Sequence, residues 1–365
     1  MNTELFDRSQ EIKKFDDSKL GVKGLVDSGI TSIPQIFVHP PETLAGVGSK
    51  STTKHKPDII PIIDLSGADS DLLRPTIVEK IARASRELGL FQVINHGIEL
   101  EAFDRMLGAT RAFHEQPAEM KTPLYHRDVD QDIILISNID LLYSKAASWR
   151  DTLRLKLGPK LPEKLPEICR NEILEWNQLV TQVGELVMGL LCEGLGIETD
   201  RMKEMGLLEG RLMAAQYYPF CPQHNLTMGV APHTDYGVLT VLLQDQTGGL
   251  QIKYGEDWVD VKPVPGALVI NIADMLQIMS NDEYKSAEHR VLANSSNEPR
   301  ISVGIFFEPS KKDNLYEPFP ELISQEKPAR FQPVKFSEHW TRFFSKELGE
   351  RSVMDSYRLP VEKKD

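Results

Sequence analysis

Residues 232–243 read Pro232-His233-Thr234-Asp235-Tyr236-Gly237-Val238-Leu239-Thr240-Val241-Leu242-Leu243, joining a pair of metal-ligand types to an apolar run. His233 and Asp235 stand two residues apart, so on an extended chain the imidazole and the carboxylate project to one side and can reach one metal ion. The run after Gly237 has the composition of a buried strand. Outward from it, residues 211–307 alternate short β-prone runs with turn signals at Pro222, Gly248-Gly249, Tyr254-Gly255, Pro265-Gly266 and residues 294–297. Many short strands at this spacing predict a β sandwich or barrel. A barrel also explains how distant residues converge, since side chains alternate inward along each strand.

A third ligand is available in Glu288-His289-Arg290-Val291-Leu292, and Arg300-Ile301-Ser302 follows in a strand-like run ending at Phe307. Two His and one carboxylate leave one face of an octahedron open, the arrangement used by non-haem Fe(II) oxygenases. Arg300 and Ser302, again at strand period, would point the same way and could hold a carboxylate through a guanidinium fork and a hydroxyl donor.

With His289 fifty-four residues beyond Asp235, the set His233-x-Asp235, His289 and Arg300-x-Ser302 resembles the plant 2-oxoglutarate- and Fe(II)-dependent dioxygenases. The surrounding text agrees, in Tyr217-Tyr218-Pro219-Phe220-Cys221-Pro222, Gly248-Gly249-Leu250-Gln251 and Pro265-Gly266-Ala267-Leu268-Val269-Ile270-Asn271-Ile272. Phe15-Asp16-Asp17, Gly21-Val22-Lys23-Gly24-Leu25-Val26-Asp27 and Ile33-Pro34 resemble the amino-terminal arm of one subgroup. That subgroup contains 1-aminocyclopropane-1-carboxylate oxidase homologues, deacetoxyvindoline 4-hydroxylase and benzoxazinoid dioxygenases, which work in specialised metabolism.

The resemblance implies a double-stranded β-helix, or jelly roll, mainly β with α, flanked by amino-terminal helices and a carboxy-terminal helix. It implies Fe(II) on His233, Asp235 and His289, 2-oxoglutarate and O2 as co-substrates, and ascorbate as reductant. The far carboxylate of 2-oxoglutarate would lie on Arg300 and Ser302, with Tyr218 touching it. The position two before Tyr218 departs from the family pattern: Gln216 stands where many relatives have Asn or His. Phe306 matches an aromatic position that flanks substrate in related flavonoid enzymes, though Phe306 and Phe307 alternate faces and one of them must be core.

Composition sets the outer limits. With 42 basic against 54 acidic side chains the net charge is −12, and no Lys/Arg cluster appears, so nucleic acid and anionic membrane are poor partners. Cys169, Cys192 and Cys221 are odd in number and widely spaced, which suggests neither a disulfide framework nor a Cys-rich zinc site. The start lacks the regions of a signal peptide and no run is long enough for a membrane span, which reads as a soluble cytoplasmic protein. Nothing demands more than a monomer, and the partner expected is a small-molecule substrate.

Four stretches are expected. Residues 1–57 form an arm and linker, residues 58–204 a region of helices and strands, residues 205–310 the jelly-roll core, and residues 311–365 a helix and tail. A strand is predicted around 59–65, helices over 74–88 and 100–113, strands over 91–94 and 133–136, and a core helix over 173–195. A last helix over 336–348 would pack on the barrel or close its mouth. His96 and His114 read as structural residues rather than ligands.

From Thr152 to Leu157 polar and apolar residues alternate, burying Leu153, Leu155 and Leu157 and showing Thr152, Arg154 and Lys156. That polar face either meets solvent or, as the resemblance implies, borders the substrate cavity. Two other readings of the whole stay open: an oxidase driven by ascorbate or by its substrate without 2-oxoglutarate, and a non-catalytic jelly-roll binding protein.

Overall fold

The computed structural model describes residues 7–47, 59–139, 141–345 and 353–360. In chain order the elements are α1 (Arg8–Ser18), α2 (Gly21–Asp27), β1 (Ile62–Asp64), α3 (Arg74–Glu87), β2 (Leu90–Ile94), α4 (Leu100–His114), α5 (Ala118–Lys121), β3 (Ile133–Ile136), β4 (Asp151–Gly158), α6 (Arg170–Leu195), α7 (Thr199–Glu204), β5 (Gly210–Tyr218), β6 (Met228–His233), β7 (Leu239–Gln244), β8 (Leu250–Tyr254), β9 (Asp257–Asp260), β10 (Leu268–Ile272), α8 (Asp274–Met279), β11 (His289–Leu292), β12 (Arg300–Glu308), β13 (Leu315–Tyr316), β14 (Val334–Lys335) and α9 (Phe336–Ser345). The predicted helices and strands are all found, within a few residues at their ends. Most of the proposed linker over residues 46–54, and residues 346–348 of the last helix, lie outside the described residues.

Eight strands form one sheet in the order β1-β2-β10-β7-β12-β5-β4-β3, and four form another in the order β6-β11-β8-β9. These sheets make the jelly roll, and the cavity between them is lined from both. The predicted β sandwich is therefore present, with the fold class as expected.

Strand β12 shows how sequence alternation becomes two faces. Ile301, Val303, Ile305 and Phe307 are buried on the side covered by helices, while Arg300, Ser302, Gly304 and Phe306 line the cavity. Behind the sheet, α6 buries Ile173, Trp176, Val180, Val183, Val187, Leu190 and Leu191 along one stripe. It ends at Gly196, whose left-handed backbone lets the Ile197 N–H donate to the Cys192 carbonyl. Where α6 crosses β12 it carries Gly184, and a Cβ there would lie 2.5 Å from Cζ of Phe307. Full burial of that phenylalanine contributes roughly 2–3 kcal/mol, so the close approach matters.

The arm is more ordered than its polar composition suggests. Asp7 caps α1 by accepting from the N–H groups of Ser9 and Gln10. Buried Asp151, at the start of β4, accepts from the N–H groups of Val22 and Lys23, each at 2.8 Å. Gly21 makes room for it: its φ is +68°, and a Cβ would sit 2.5 Å from Asp151 Oδ1. Phe15, Phe37 and Trp149 close this join as edge-on aromatic pairs. Among the described residues no helix is long and apolar enough to cross a membrane.

Candidate active site

The two histidines are brought together by strand pairing. β6 and β11 run antiparallel with His233 opposite His289, which sets their ring centroids 4.2 Å apart. Each ring uses Nδ1 on the carbonyl two residues before it, His233 on Ala231 at 2.9 Å and His289 on Ala287 at 3.0 Å. A carbonyl can only accept, so the proton is on Nδ1 and the lone pair is on Nε2. Both Nε2 atoms face Asp235 Oδ1, at 3.8 Å each. Burial, with His289 alongside, pushes His233 down to about 3, which keeps it neutral.

Asp235 divides its two oxygens. Oδ2 accepts from Thr240 Oγ1 at 2.7 Å and from Asn271 Nδ2 at 2.5 Å, which leaves Oδ1 for the histidines' side. One ligand atom from each of the three residues lies within 4.8 Å of the others. Two imidazole nitrogens and a carboxylate with a buried, hydrogen-bonded back suit Fe(II), and the orienting bonds are those expected around metal ligands. Thr240 and Asn271 were not singled out in the sequence; the signal available was a polar residue inside an apolar strand run.

Beside this cluster Arg300 is 2% exposed and has no acidic partner among the described residues. Its guanidinium donates to the Gly248 carbonyl at 2.6 Å, to Ser302 Oγ at 3.2 Å and to Gln244 Oε1 at 3.1 Å, and stands 4.8 Å over the Tyr218 ring. A buried cation held only by neutral acceptors invites an anion. Tyr218 reaches Arg300 by its ring face, while its hydroxyl donates to Gln216 Oε1. The departure at Gln216 thus has a place in the fold, as the acceptor that orients Tyr218. Arg300 and Ser302 present donors of the kind a carboxylate takes, with the Tyr218 ring against the guanidinium.

The other end of the cavity is apolar with isolated polar groups. Thr152 and Arg154 are 8% and 6% exposed and both line the cavity, so their face of β4 does not meet solvent. Lys156 leaves that face for the surface and donates to the Asp130 carbonyl. Phe306 is the cavity member of its pair and Phe307 the core member. Tyr236 stacks on Phe306 at 5.9 Å and meets Phe343 and Phe344 of α9 at 5.3 and 5.2 Å. The last helix therefore supplies a wall of the cavity. His96 and His114 bond the carbonyls of Gly266 and Ala215 and take no part.

Two family models match the chain. Residues 210–309 match the family described as the 2OG-Fe(II) oxygenase superfamily, and residues 60–178 match non-haem dioxygenase in morphine synthesis N-terminal. The chain is similar to 1-aminocyclopropane-1-carboxylate oxidase homolog 5 of Arabidopsis thaliana, with 46% identity over 94% of this chain and 87% of that protein. It is 42% identical to deacetoxyvindoline 4-hydroxylase of Catharanthus roseus, over 96% of this chain and 89% of that one. The crystal structure of JOX2 in complex with 2OG, Fe and JA superposes with a TM-score of 0.79 at 30% identity, covering 93% and 98% of the two chains.

Proposed function

The chain belongs to the 2OG-Fe(II) oxygenase superfamily and is an Fe(II)- and 2-oxoglutarate-dependent dioxygenase; from that premise we propose the residues and the substrate class of its reaction. His233, Asp235 and His289 hold the iron, and Arg300, Ser302 and Tyr218 hold the distal carboxylate of 2-oxoglutarate. The substrate is a small plant specialised metabolite, in keeping with the similarity to deacetoxyvindoline 4-hydroxylase. A substrate C–H, O2 and 2-oxoglutarate become C–OH, succinate and CO2, and ascorbate serves to keep the metal reduced. The enzyme works as a monomer in the cytoplasm, a reading supported by three cysteines that are all free.

Iron, when bound, supplies the activation of O2 in company with the keto acid. The chain's own residues do the positioning. Thr240 and Asn271 aim one carboxylate oxygen of Asp235, and the Ala231 and Ala287 carbonyls fix the imidazole tautomers. Arg300 sets the register of the co-substrate relative to that centre. Tyr236, Phe306, Phe343 and Phe344 exclude water from the space where the substrate's carbon must lie.

One observation carries this reading: a His-Asp-His cluster with oriented donor atoms, in the same cavity as a buried arginine that has no acidic partner among the described residues. It is tested by titrating Fe(II)-loaded protein with 2-oxoglutarate in the absence of oxygen. A saturable visible band of the iron-chelated keto acid, shifted to higher 2-oxoglutarate concentration in Arg300→Ala, is expected. No band from fully iron-loaded protein would turn the assignment to an oxidase driven by ascorbate or by its substrate.

A further inference from the structure

Arg154 is one of two cavity cations that the cofactor chemistry leaves unused; the other, Arg150, lies within reach of the His233 charge and donates through Nη1 to the Gly229 carbonyl at 3.0 Å. On the proposed reading, iron with Asp235, the two carboxylates of 2-oxoglutarate and Arg300 form a neutral set, so no further cation is needed there. Yet Arg154, 94% buried, also lines the cavity. Its Nη1 donates to the Val129 carbonyl at 2.8 Å, and its buried Nε has no partner among the described residues. No acid lies within ion-pair distance among the described residues. Glu308, on the same side of the sheet, attracts it from further off, but the Glu308 carboxylate lies 3.6 Å from Lys312. A guanidinium buried with unspent donors is costly unless a ligand completes it.

Its surroundings repeat those of the co-substrate anchor. Arg300 and Ser302 are a guanidinium and a hydroxyl two residues apart on β12, and Thr152 and Arg154 are the same pair on β4. The register places Thr152, Gln216 and Ser302 in one row and Arg154, Ala214 and Gly304 in the next. Between Arg154 and the iron side the sheet presents only Ala214 and Gly304, and a Cβ at Gly304 would make nothing closer than 3.4 Å. This leaves a low floor, edged by Phe306 and Leu242. From β4 to β7, whose Thr240 supports Asp235, is three strand spacings, roughly 14 Å. The walls over that floor are Leu212, Tyr236, Phe306, Phe343 and Phe344.

From this geometry we infer that the substrate is an apolar carboxylic acid whose carboxylate sits on Arg154 and Thr152, with its apolar body lying across Ala214 and Gly304 toward the metal. The inference deepens the proposed function and rests on it for the direction of the reacting carbon. Arg154 is a specificity determinant that pairs with the substrate's charge, and the ring-lined walls accept the rest.

The test uses ω-phenylalkanoic acids of increasing chain length, each beside its methyl ester, binding to the full chain loaded with Fe(II) and 2-oxoglutarate without oxygen, measured by calorimetry. An acid is expected to bind at least tenfold more tightly than its ester. In Arg154→Leu the acid should lose roughly 10–100-fold while the ester is unchanged. Arg154→Lys, keeping charge without the fork, should fall between, and Thr152→Val should lose a few-fold. Equal binding of acid and ester, binding of neither, or a parallel loss of both in Arg154→Leu, which would mark a purely structural arginine, overturns the inference. Repeating the titrations without 2-oxoglutarate separates the two readings. An acid preference that persists while the chelate band fails to form sinks the co-substrate assignment alone, and a normal band with no acid preference sinks this one alone.

Discussion

The two ends of the cavity are held in shape by different forces. At the metal end, orientation comes from hydrogen bonds: two main-chain carbonyls fix His233 and His289, Thr240 and Asn271 fix Asp235, and Gly248, Ser302 and Gln244 fix Arg300. At the substrate end it comes from ring packing around Tyr236, whose buried hydroxyl, like the Nε of Arg154, makes no hydrogen bond among the described residues. Directional bonds set a few atoms to within fractions of an ångström, which chemistry at a metal requires. Packed rings set a volume and leave its few polar atoms for whatever enters. The first end is built for one reaction, and the second for one choice of substrate.

The contrast is broken or sharpened by substitutions on either side. The largest effect is expected from His233→Ala, Asp235→Ala or His289→Ala, each of which should abolish turnover. Substantial succinate release by any of the three would remove that residue from the ligand set. Next, Arg300→Ala should raise the 2-oxoglutarate concentration needed for the chelate band by roughly 10–100-fold, the worth of a charge-assisted bond pair. An unchanged titration would place the carboxylate anchor elsewhere. Asn271→Ala and Thr240→Val should each weaken metal binding about tenfold, read by competition with a chelator, because they free the back of Asp235. The smallest effect belongs to the packed end. Phe306→Ala should reorder substrate preference by a few-fold and leave the 2-oxoglutarate titration where it was. If that titration moved as well, the two ends would not be separable.

What the sequence disclosed follows the same line. His233-x-Asp235, His289 and Arg300-x-Ser302 were legible because chemistry at a metal constrains residue type, and strand period constrains spacing. The core helix was legible from its stripe of Ile173, Trp176, Val183, Val187, Leu190 and Leu191. The partners Thr240, Asn271 and Gln216 were not assigned, since their roles depend on pairings between strands far apart in the chain: Ser302 meets Gln216 on one side and Gln244 on the other. The aromatic wall was half legible. Phe343 and Phe344 read as a helix that could cover the barrel, but their contact with Tyr236 spans more than a hundred residues. The arm was the least legible, because its anchors lie far along the chain: α2 is held by Asp151, and Asp16 of α1 accepts from Tyr125 and Arg127.

The alternation along β12 bears on how such an enzyme changes over generations. On the proposed function Arg300 and Ser302 serve the co-substrate and Gly304 and Phe306 shape the substrate's space, while Ile301, Val303, Ile305 and Phe307 are buried on the helix-covered side. Stability and selectivity are thus written on opposite sides of one nine-residue strand. A lineage can revise positions 304 and 306 for a new metabolite without loosening the framework, and can drift at 301, 303 and 305 among similar apolar residues without touching the chemistry.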